Sequence, residues 1–143
     1  MSINPASQFL LRAPLSGVMV PLETVPDPVF AQKMVGDGIS IDPTSNILLA
    51  PITGKITQLH SAKHAVTLVA SNGLEVLIHI GLDTVMLKGK GFVAKVKEGD
   101  IVDVGQPLIE FDMDAVGRKA MSLLTQMVIT NGEKVSSYQA AQG

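Results

Sequence analysis

Short apolar runs separated by glycine and proline make up most of the chain. The glycines and prolines cluster near residues 14–17, 36–43, 51–54, 89–91 and 99–107, with strand-length segments between them. Several of these segments alternate apolar and polar residues, which is the pattern of a half-buried β-strand. This spacing of strands and turns predicts an all-β domain, either a sandwich or a barrel.

Two segments of the chain repeat one another. Residues 13–19 read APLSGVM and residues 50–56 read APITGKI, so each copy has a proline and a glycine around a small hydroxyl residue. Proline cannot donate to a central ladder, and each copy therefore predicts a turn that leads into a strand. A weaker repeat relates VGDG at residues 35–38 to VKEG at residues 96–99. We expect an internally duplicated domain.

Two segments depart from the strand pattern. Asp27 followed by Pro28 is a helix N-cap with proline at the first helical position, and it predicts a short helix through Met34. Asp112 or Asp114 caps a second candidate helix, in which apolar residues recur at helical spacing. One or two short helices are expected beside the strands.

The segments on either side of residues 71–73, Ser-Asn-Gly, predict a β-hairpin. Asn-Gly is a strong hairpin signal because both residues tolerate positive φ. A two-residue turn at the Asn-Gly pair places His64 one diagonal step from His79, and a turn at the Ser-Asn pair places the two histidines opposite each other. In both cases the imidazoles share a face, with Cβ atoms about 4.5 to 8 Å apart. A three-residue loop would place them on opposite faces.

Two neutral imidazoles in such positions suit phosphoryl transfer. One ring nitrogen attacks phosphorus, and an N–H group of the neighbouring ring stabilises the charge on the equatorial oxygens. The ordinary pKa of histidine, about 6.5, keeps a large nucleophilic fraction neutral at cytoplasmic pH. From spacing alone, a pair of structural polar residues on a strand is the simpler interpretation.

Composition argues against several other functions. The net charge of -2 and the lack of a basic run disfavour nucleic-acid binding. The chain has no cysteine, which excludes disulfides, thiolate catalysis and cysteine-ligated metal sites. Its longest apolar stretches fall well short of the roughly 18 residues that a membrane span needs. Because the N-terminus also lacks signal-peptide features, we expect a cytoplasmic protein without direct membrane insertion.

The region around His79 resembles the phosphorylation site of the glucose-type enzyme IIA family, from the bacterial phosphoenolpyruvate-dependent sugar phosphotransferase system. Residues 74–92 read LEVLIHIGLDTVMLKGKGF, and the core of the motif is a histidine followed by apolar-Gly-apolar-Asp-Thr-Val. APLSG at residue 13, DPVFAQKMVGDG at residue 27 and GQPLIEFD ending at residue 112 also resemble the family. The motifs occur in the family's order.

The resemblance implies an antiparallel β-sandwich of the barrel-sandwich, or duplicated hybrid motif, type that acts as a phosphotransferase component. His79 would become a phosphohistidine by accepting phosphate from the histidine-containing phosphocarrier protein, and His64 would assist. The phosphoryl group would then pass to a cysteine of the IIB domain of a sugar permease during sugar uptake. Gly81, Asp83 and Thr84 would support the site. A regulatory protein that signals by its phosphorylation state is an alternative that uses the same site.

The family also implies an apolar docking surface around the site, because exposed apolar patches suit transient partners. The matching positions are Val29, Phe30, Met34, Val35, Leu77 and Val85. The alternative is that these residues belong to the core, and we favour docking for Phe30 and Leu77. His60 is expected to be an ordinary surface residue.

Two features depart from the family. A threonine commonly precedes the first histidine by two positions, but this chain has Ala62 there, so a hydroxyl that orients the imidazoles is missing. The family usually has a further strand after the region of Asn131, whereas residues 135–143 are polar and lack a strand pattern. We treat residues 1–143 as one domain, whose tail is a frayed end or the start of a linker. The second reading would make it the N-terminal domain of a fused multidomain phosphotransferase.

The phosphoryl-transfer chemistry requires no cofactor, and no metal site is predicted beyond an adventitious or regulatory zinc ion at His64 and His79. The motifs disfavour two other functions. A zinc endopeptidase of the lysostaphin type needs His-x-His with further ligands, and Gly81 stands where the second histidine would be. A biotinyl or lipoyl carrier presents a modified lysine at a hairpin tip, and no lysine here has that setting.

Overall fold

The computed structural model describes residues 11–82 and 84–131. The strands are β1 (Gly17–Pro21), β2 (Asp37–Pro43), β3 (Ile47–Leu49), β4 (Gly54–Leu59), β5 (Ala65–Ala70), β6 (Glu75–His79), β7 (Phe92–Ala94), β8 (Ile101–Val102), β9 (Pro107–Phe111) and β10 (Thr125–Ile129). The helices are α1 (Pro28–Ala31) and α2 (Met113–Lys119). Two short 3-10 turns span Leu22–Thr24 and Thr84–Leu87.

The strands form two antiparallel sheets that pack face to face. Seven strands form one sheet in the order β1-β2-β10-β6-β5-β4-β8, and three form the other in the order β3-β9-β7. Aliphatic side chains from both sheets fill the space between them, together with Phe92 and Phe111. The sequence pattern is compatible with a sandwich or a barrel, and the structure is a sandwich. The predicted all-β class is confirmed.

The two sequence repeats occupy equivalent places in the fold. Gly17 opens β1 and Gly54 opens β4, and a Cβ atom at either position would strike a backbone carbonyl oxygen of the neighbouring strand. β1 pairs with β2, which includes part of the VGDG segment, and β4 pairs with β8, which follows the VKEG segment. These matching positions support the predicted internal duplication.

Both predicted helices are present, and α1 is shorter than expected. Asp27 caps α1 by accepting a hydrogen bond from the Val29 N–H at 2.9 Å. The helix does not continue to Met34, and Lys33 adopts a left-handed backbone conformation with φ 56°. Asp112 is the cap of α2, with its Oδ1 accepting a backbone hydrogen bond at 3.0 Å. No helix in the described part of the chain is long and apolar enough to cross a membrane.

A second, smaller core lies on the outer face of the large sheet. The chain between β1 and β2, which includes α1, folds over this face. The buried residues of this outer cluster are Leu22, Val25, Phe30, Leu82 and Val128. His79 is the last residue of β6 and lies beside the cluster, with its ring centroid 5.2 Å from that of Phe30. The candidate site is therefore at the margin of the outer cluster, on the side of the sheet that faces away from the main core.

Candidate functional site

The hairpin that carries the histidines has a three-residue loop, which corrects the predicted register. Ala65 pairs with His79 across β5 and β6. In the loop, Gly73 has φ 93°, whereas Asn72 is not among the residues with positive φ. The Gly73 N–H donates to the Ala70 carbonyl at 2.9 Å. Both two-residue turns considered from the sequence are wrong, because only one residue of the Asn-Gly pair adopts the left-handed conformation.

His64 nevertheless lies beside His79. Strict alternation along a strand would place the two side chains on opposite faces, but His64 precedes the first residue of β5 and is not held by the pleat. The residue before it, Lys63, has a left-handed backbone conformation with φ 63°, which redirects the chain. The centroids of the two imidazoles are 4.9 Å apart, with the ring planes at 78°. The predicted proximity of the two rings is confirmed. It depends on the chain direction at Lys63 and not on a two-residue hairpin turn.

A backbone carbonyl determines which nitrogen of His79 carries the proton. Nδ1 of His79 lies 2.8 Å from the carbonyl oxygen of Gly81. Because a carbonyl oxygen only accepts, Nδ1 must be the protonated nitrogen, and the lone pair of the neutral ring is on Nε2. Gly81 has φ 72°, and a Cβ atom there would lie 2.8 Å from the Ser122 carbonyl oxygen. Glycine is therefore needed to bring this carbonyl to the His79 ring.

Thr84 closes the turn that follows His79. Its side chain is fully buried, and its hydroxyl donates to the Ile80 carbonyl at 2.6 Å. This bond ties together the two ends of the turn that contains Gly81. Asp83 lies outside the described residues, as does the side chain of Val85, so the roles expected of them stay predictions.

His64 is buried in a setting that favours its neutral form. Its side chain is only 3% exposed, and its Nδ1 has no hydrogen-bond partner among the described residues. Burial, followed by the neighbouring His79 and His60 rings, lowers the pKa of His64 to about 4. His64 is therefore uncharged near neutral pH.

The surroundings of His79 also favour a neutral ring. Burial lowers the pKa of His79, and this effect outweighs the opposing hydrogen bond to Gly81 and the negative charge of Asp27. The ring is half-buried rather than enclosed. His79 thus combines an uncharged imidazole with partial access from solvent.

The residues predicted to form a docking surface differ in exposure. Val29 and Met34 are exposed, at 40% and 68%. Phe30 is only 5% exposed, while Val35 and Leu77 are half-buried against the outer cluster. The docking role favoured for Phe30 is therefore corrected, because its side chain lies beneath the surface. Among the docking candidates whose side chains the structure describes, Val29 and Met34 are the most exposed.

His60 is a third imidazole at the site, and it was not predicted to take part. Its ring centroid lies 4.3 Å from that of His64, closer than the His64–His79 pair. His60 is exposed, as expected of a surface residue, but it contacts a buried one. The four-residue spacing of His60 and His64 does not reveal this contact, which depends on the tight loop that turns at Lys63.

The described histidines do not form a closed metal site. No group of three or more His, Cys, Asp or Glu side chains within residues 11–82 and 84–131 is arranged to hold a metal ion. These residues therefore offer no ligand set for the zinc endopeptidase alternative. His64 and His79 together would supply two of about four zinc ligands, so the zinc ion considered from the sequence stays a prediction that needs ligands from another molecule.

Several known proteins are similar to this chain in sequence or in structure. Residues 9–135 match a family described as phosphoenolpyruvate-dependent sugar phosphotransferase system, EIIA 1. The glucose-specific EIIA component of Halalkalibacterium halodurans is 50% identical over 91% of this chain and 75% of that protein. The glucose-specific EIIA component of Bacillus anthracis is 47% identical over 98% of this chain and 85% of that protein. The solved structure of glucose permease IIA from Mycoplasma capricolum superposes with a TM-score of 0.83 at 38% identity, covering 85% of this chain and 79% of that one.

Proposed function

Because the chain belongs to the EIIA 1 family of the phosphoenolpyruvate-dependent sugar phosphotransferase system, we propose that Nε2 of His79 carries its phosphoryl group. The chain is a phosphocarrier of this system, a phosphotransferase component that transfers phosphate through a histidine. The observation that supports His79 is its Nδ1–H bond to the Gly81 carbonyl, which leaves Nε2 as the free nucleophile. A second neutral imidazole, His64, lies beside it.

The proposed step exchanges one N–P bond for another. The Nε2 lone pair of His79 attacks the phosphorus of the incoming phosphohistidine, and the donor's imidazole leaves with the electron pair of the broken bond. Bond formation places positive charge on the His79 ring. The Nδ1–H group carries part of this charge, and the Gly81 carbonyl accepts a hydrogen bond from it. A ring that keeps its Nδ1 proton is a good leaving group, so the same bond also favours onward transfer.

His64 would assist as a hydrogen-bond donor. A proton on its buried, unpartnered Nδ1 would be an unsatisfied donor, which is costly, so we place the proton on Nε2. From its edge-on position beside His79, this N–H can reach oxygens of the transferred phosphoryl group. Because the pKa of His64 is lowered to about 4, it would donate as a neutral ring.

The partners and the sugar are inferred from the family. We take the donor to be the histidine-containing phosphocarrier protein and the acceptor to be a cysteine of the IIB domain of a sugar permease. The exposed apolar side chains of Val29 and Met34 support docking beside the site. The relatives are named glucose-specific, which supports glucose as the sugar. We place the protein in the cytoplasm because that location is consistent with its family.

Incubation with enzyme I, the phosphocarrier protein and labelled phosphoenolpyruvate tests this assignment. The unmodified protein should gain acid-labile label, and His79→Ala should gain none. His64→Ala should accept label but pass it slowly to a IIB domain, because the ring that stabilises the phosphoryl oxygens is missing. Ser61→Ala, at an exposed position in the loop before His64, is the control and should behave as the unmodified protein. Undiminished labelling of His79→Ala would refute the assignment.

A further inference from the structure

His60 packs against His64 and is itself held in place by the backbone. The two ring centroids are 4.3 Å apart, with the ring planes at 57°. Nδ1 of His60 accepts a hydrogen bond from the Ala62 N–H at 3.0 Å. One side of the His60 ring is thus tied to the loop that leads to His64.

The loop that carries both rings is closed by two further backbone hydrogen bonds. The Lys63 N–H donates to the His60 carbonyl at 2.8 Å, and the His60 N–H donates to the Ala65 carbonyl at 3.0 Å. Lys63 has φ 63°, which allows the chain to reverse within these few residues. The backbone from which His60 and His64 project is therefore fixed, and so is the contact between their rings.

Within the part of the chain that the structure describes, the His64 ring is held by packing and not by a hydrogen bond at Nδ1. Its Nδ1 is buried without a partner in the described part of the chain, and its ring packs against those of His60 and His79. His79 is not suited to hold the His64 ring in one orientation, because it gains and loses the phosphoryl group in each cycle. His60 is the neighbour that stays in one place.

We propose that His60 is a positioning residue that holds the His64 ring in the orientation needed for phosphoryl transfer. The proposal rests on the function proposed above. Nδ1 of His60 is engaged by the Ala62 N–H and its ring contacts that of His64, so His60 acts by packing.

Two substitutions separate the packing of the ring from its polarity. His60→Phe keeps a planar ring against His64, and His60→Ala removes it. His60→Ala should slow transfer to a IIB domain about tenfold, because a small misplacement of a catalytic group has a large effect on rate. His60→Phe should stay within about twofold of the unmodified protein, as should the Ser61→Ala control. All three variants should still accept label on His79.

The ¹⁵N resonances of the His64 ring give a readout that needs no partner. In His60→Ala, water reaches His64 and one neighbouring imidazole is lost, so a pH titration should show the pKa of His64 rising toward its ordinary value. In His60→Phe the burial persists, and the pKa should stay low. His79, the other titratable group beside His64, is unchanged in both variants.

Three results would overturn the proposal. The first is that His60→Ala transfers phosphate at the normal rate, and the second is that His60→Phe transfers it as slowly as His60→Ala. The third is that His60→Ala transfers it slowly while the His64 resonances stay unaltered. The last result would make His60 a contact for the partner instead of a support for His64. Failure of the proposed function looks different, because the unmodified protein would then take up no label or His79→Ala would still be labelled.

Discussion

Replacement of Gly81 by alanine tests how the backbone presents the His79 ring. The φ of 72° at Gly81 is in the left-handed region, which costs an L-residue roughly 1–2 kcal/mol. A Cβ atom there would also lie 2.6 Å from Cγ2 of Thr84 and 2.8 Å from the carbonyl oxygen of Ser122. That oxygen is not free to move, because it accepts a hydrogen bond from the Leu82 N–H at 2.9 Å.

Gly105 provides a matched control for this substitution. Its φ of 86° is also left-handed, but a Cβ atom there would meet nothing within 4 Å. Gly105→Ala should therefore show the conformational cost alone, roughly 1–2 kcal/mol. Gly81→Ala adds the cost of overpacking, which is typically about 1–3 kcal/mol. We expect Gly81→Ala to lower the free energy of unfolding by roughly 2–5 kcal/mol in total.

Urea unfolding followed by circular dichroism measures the free energy of unfolding of both variants. The labelling rate of His79 provides a second measurement, because a displaced Gly81 carbonyl no longer holds the Nδ1 proton. Labelling should be slower in Gly81→Ala and unchanged in Gly105→Ala. Equal losses of stability in the two variants would refute the packing argument. Normal labelling of a destabilised Gly81→Ala protein would refute the role of the carbonyl.

Two further predictions concern protonation and buried polar atoms. The pKa of His64 is lowered from 6.5 to about 4, so the stability that depends on its neutral form is complete above about pH 6.5 and is lost as the pH falls toward 4. This loss should amount to roughly 3 kcal/mol, and His64→Gln should flatten the pH–stability curve in that range; an unaltered curve would contradict the reasoning. Ser40 is fully buried, and its hydroxyl has no hydrogen-bond partner among the described residues. Ser40→Ala should therefore raise the free energy of unfolding in urea by about 1 kcal/mol, whereas a loss of stability would show that the hydroxyl is satisfied.

Local sequence signals predicted the elements of the fold better than their pairing. The sequence indicated the cap at Asp27 and left Asp112 or Asp114 for the second helix, because a cap joins groups only two or three residues apart. The Asn72-Gly73 pair correctly indicated a hairpin, but it is compatible with two loop lengths. The choice between them depends on how β6 pairs with β5 and β10 across the large sheet, which a short motif does not encode.

The sequence predicted the parts of the candidate site that depend on residue type. It did not predict the parts that depend on tertiary position. The proximity of His64 and His79 was expected from the hairpin and the family motif. The contact of His60 with His64 was not, because it depends on the left-handed turn at Lys63. The burial of Phe30 was also missed, since its apolar character fits a docking surface and a core equally well. Only the folding of α1 over the sheet decides between them.

The most direct test is the ¹⁵N spectrum of the phosphorylated protein with labelled histidines. The central claim is that His79 carries phosphate on Nε2 while its Nδ1 keeps the proton that faces Gly81. We predict ¹⁵N–³¹P coupling at Nε2 of His79 and a proton still attached to its Nδ1. Coupling at Nδ1 of His79, or at either ring nitrogen of His64, would contradict the account.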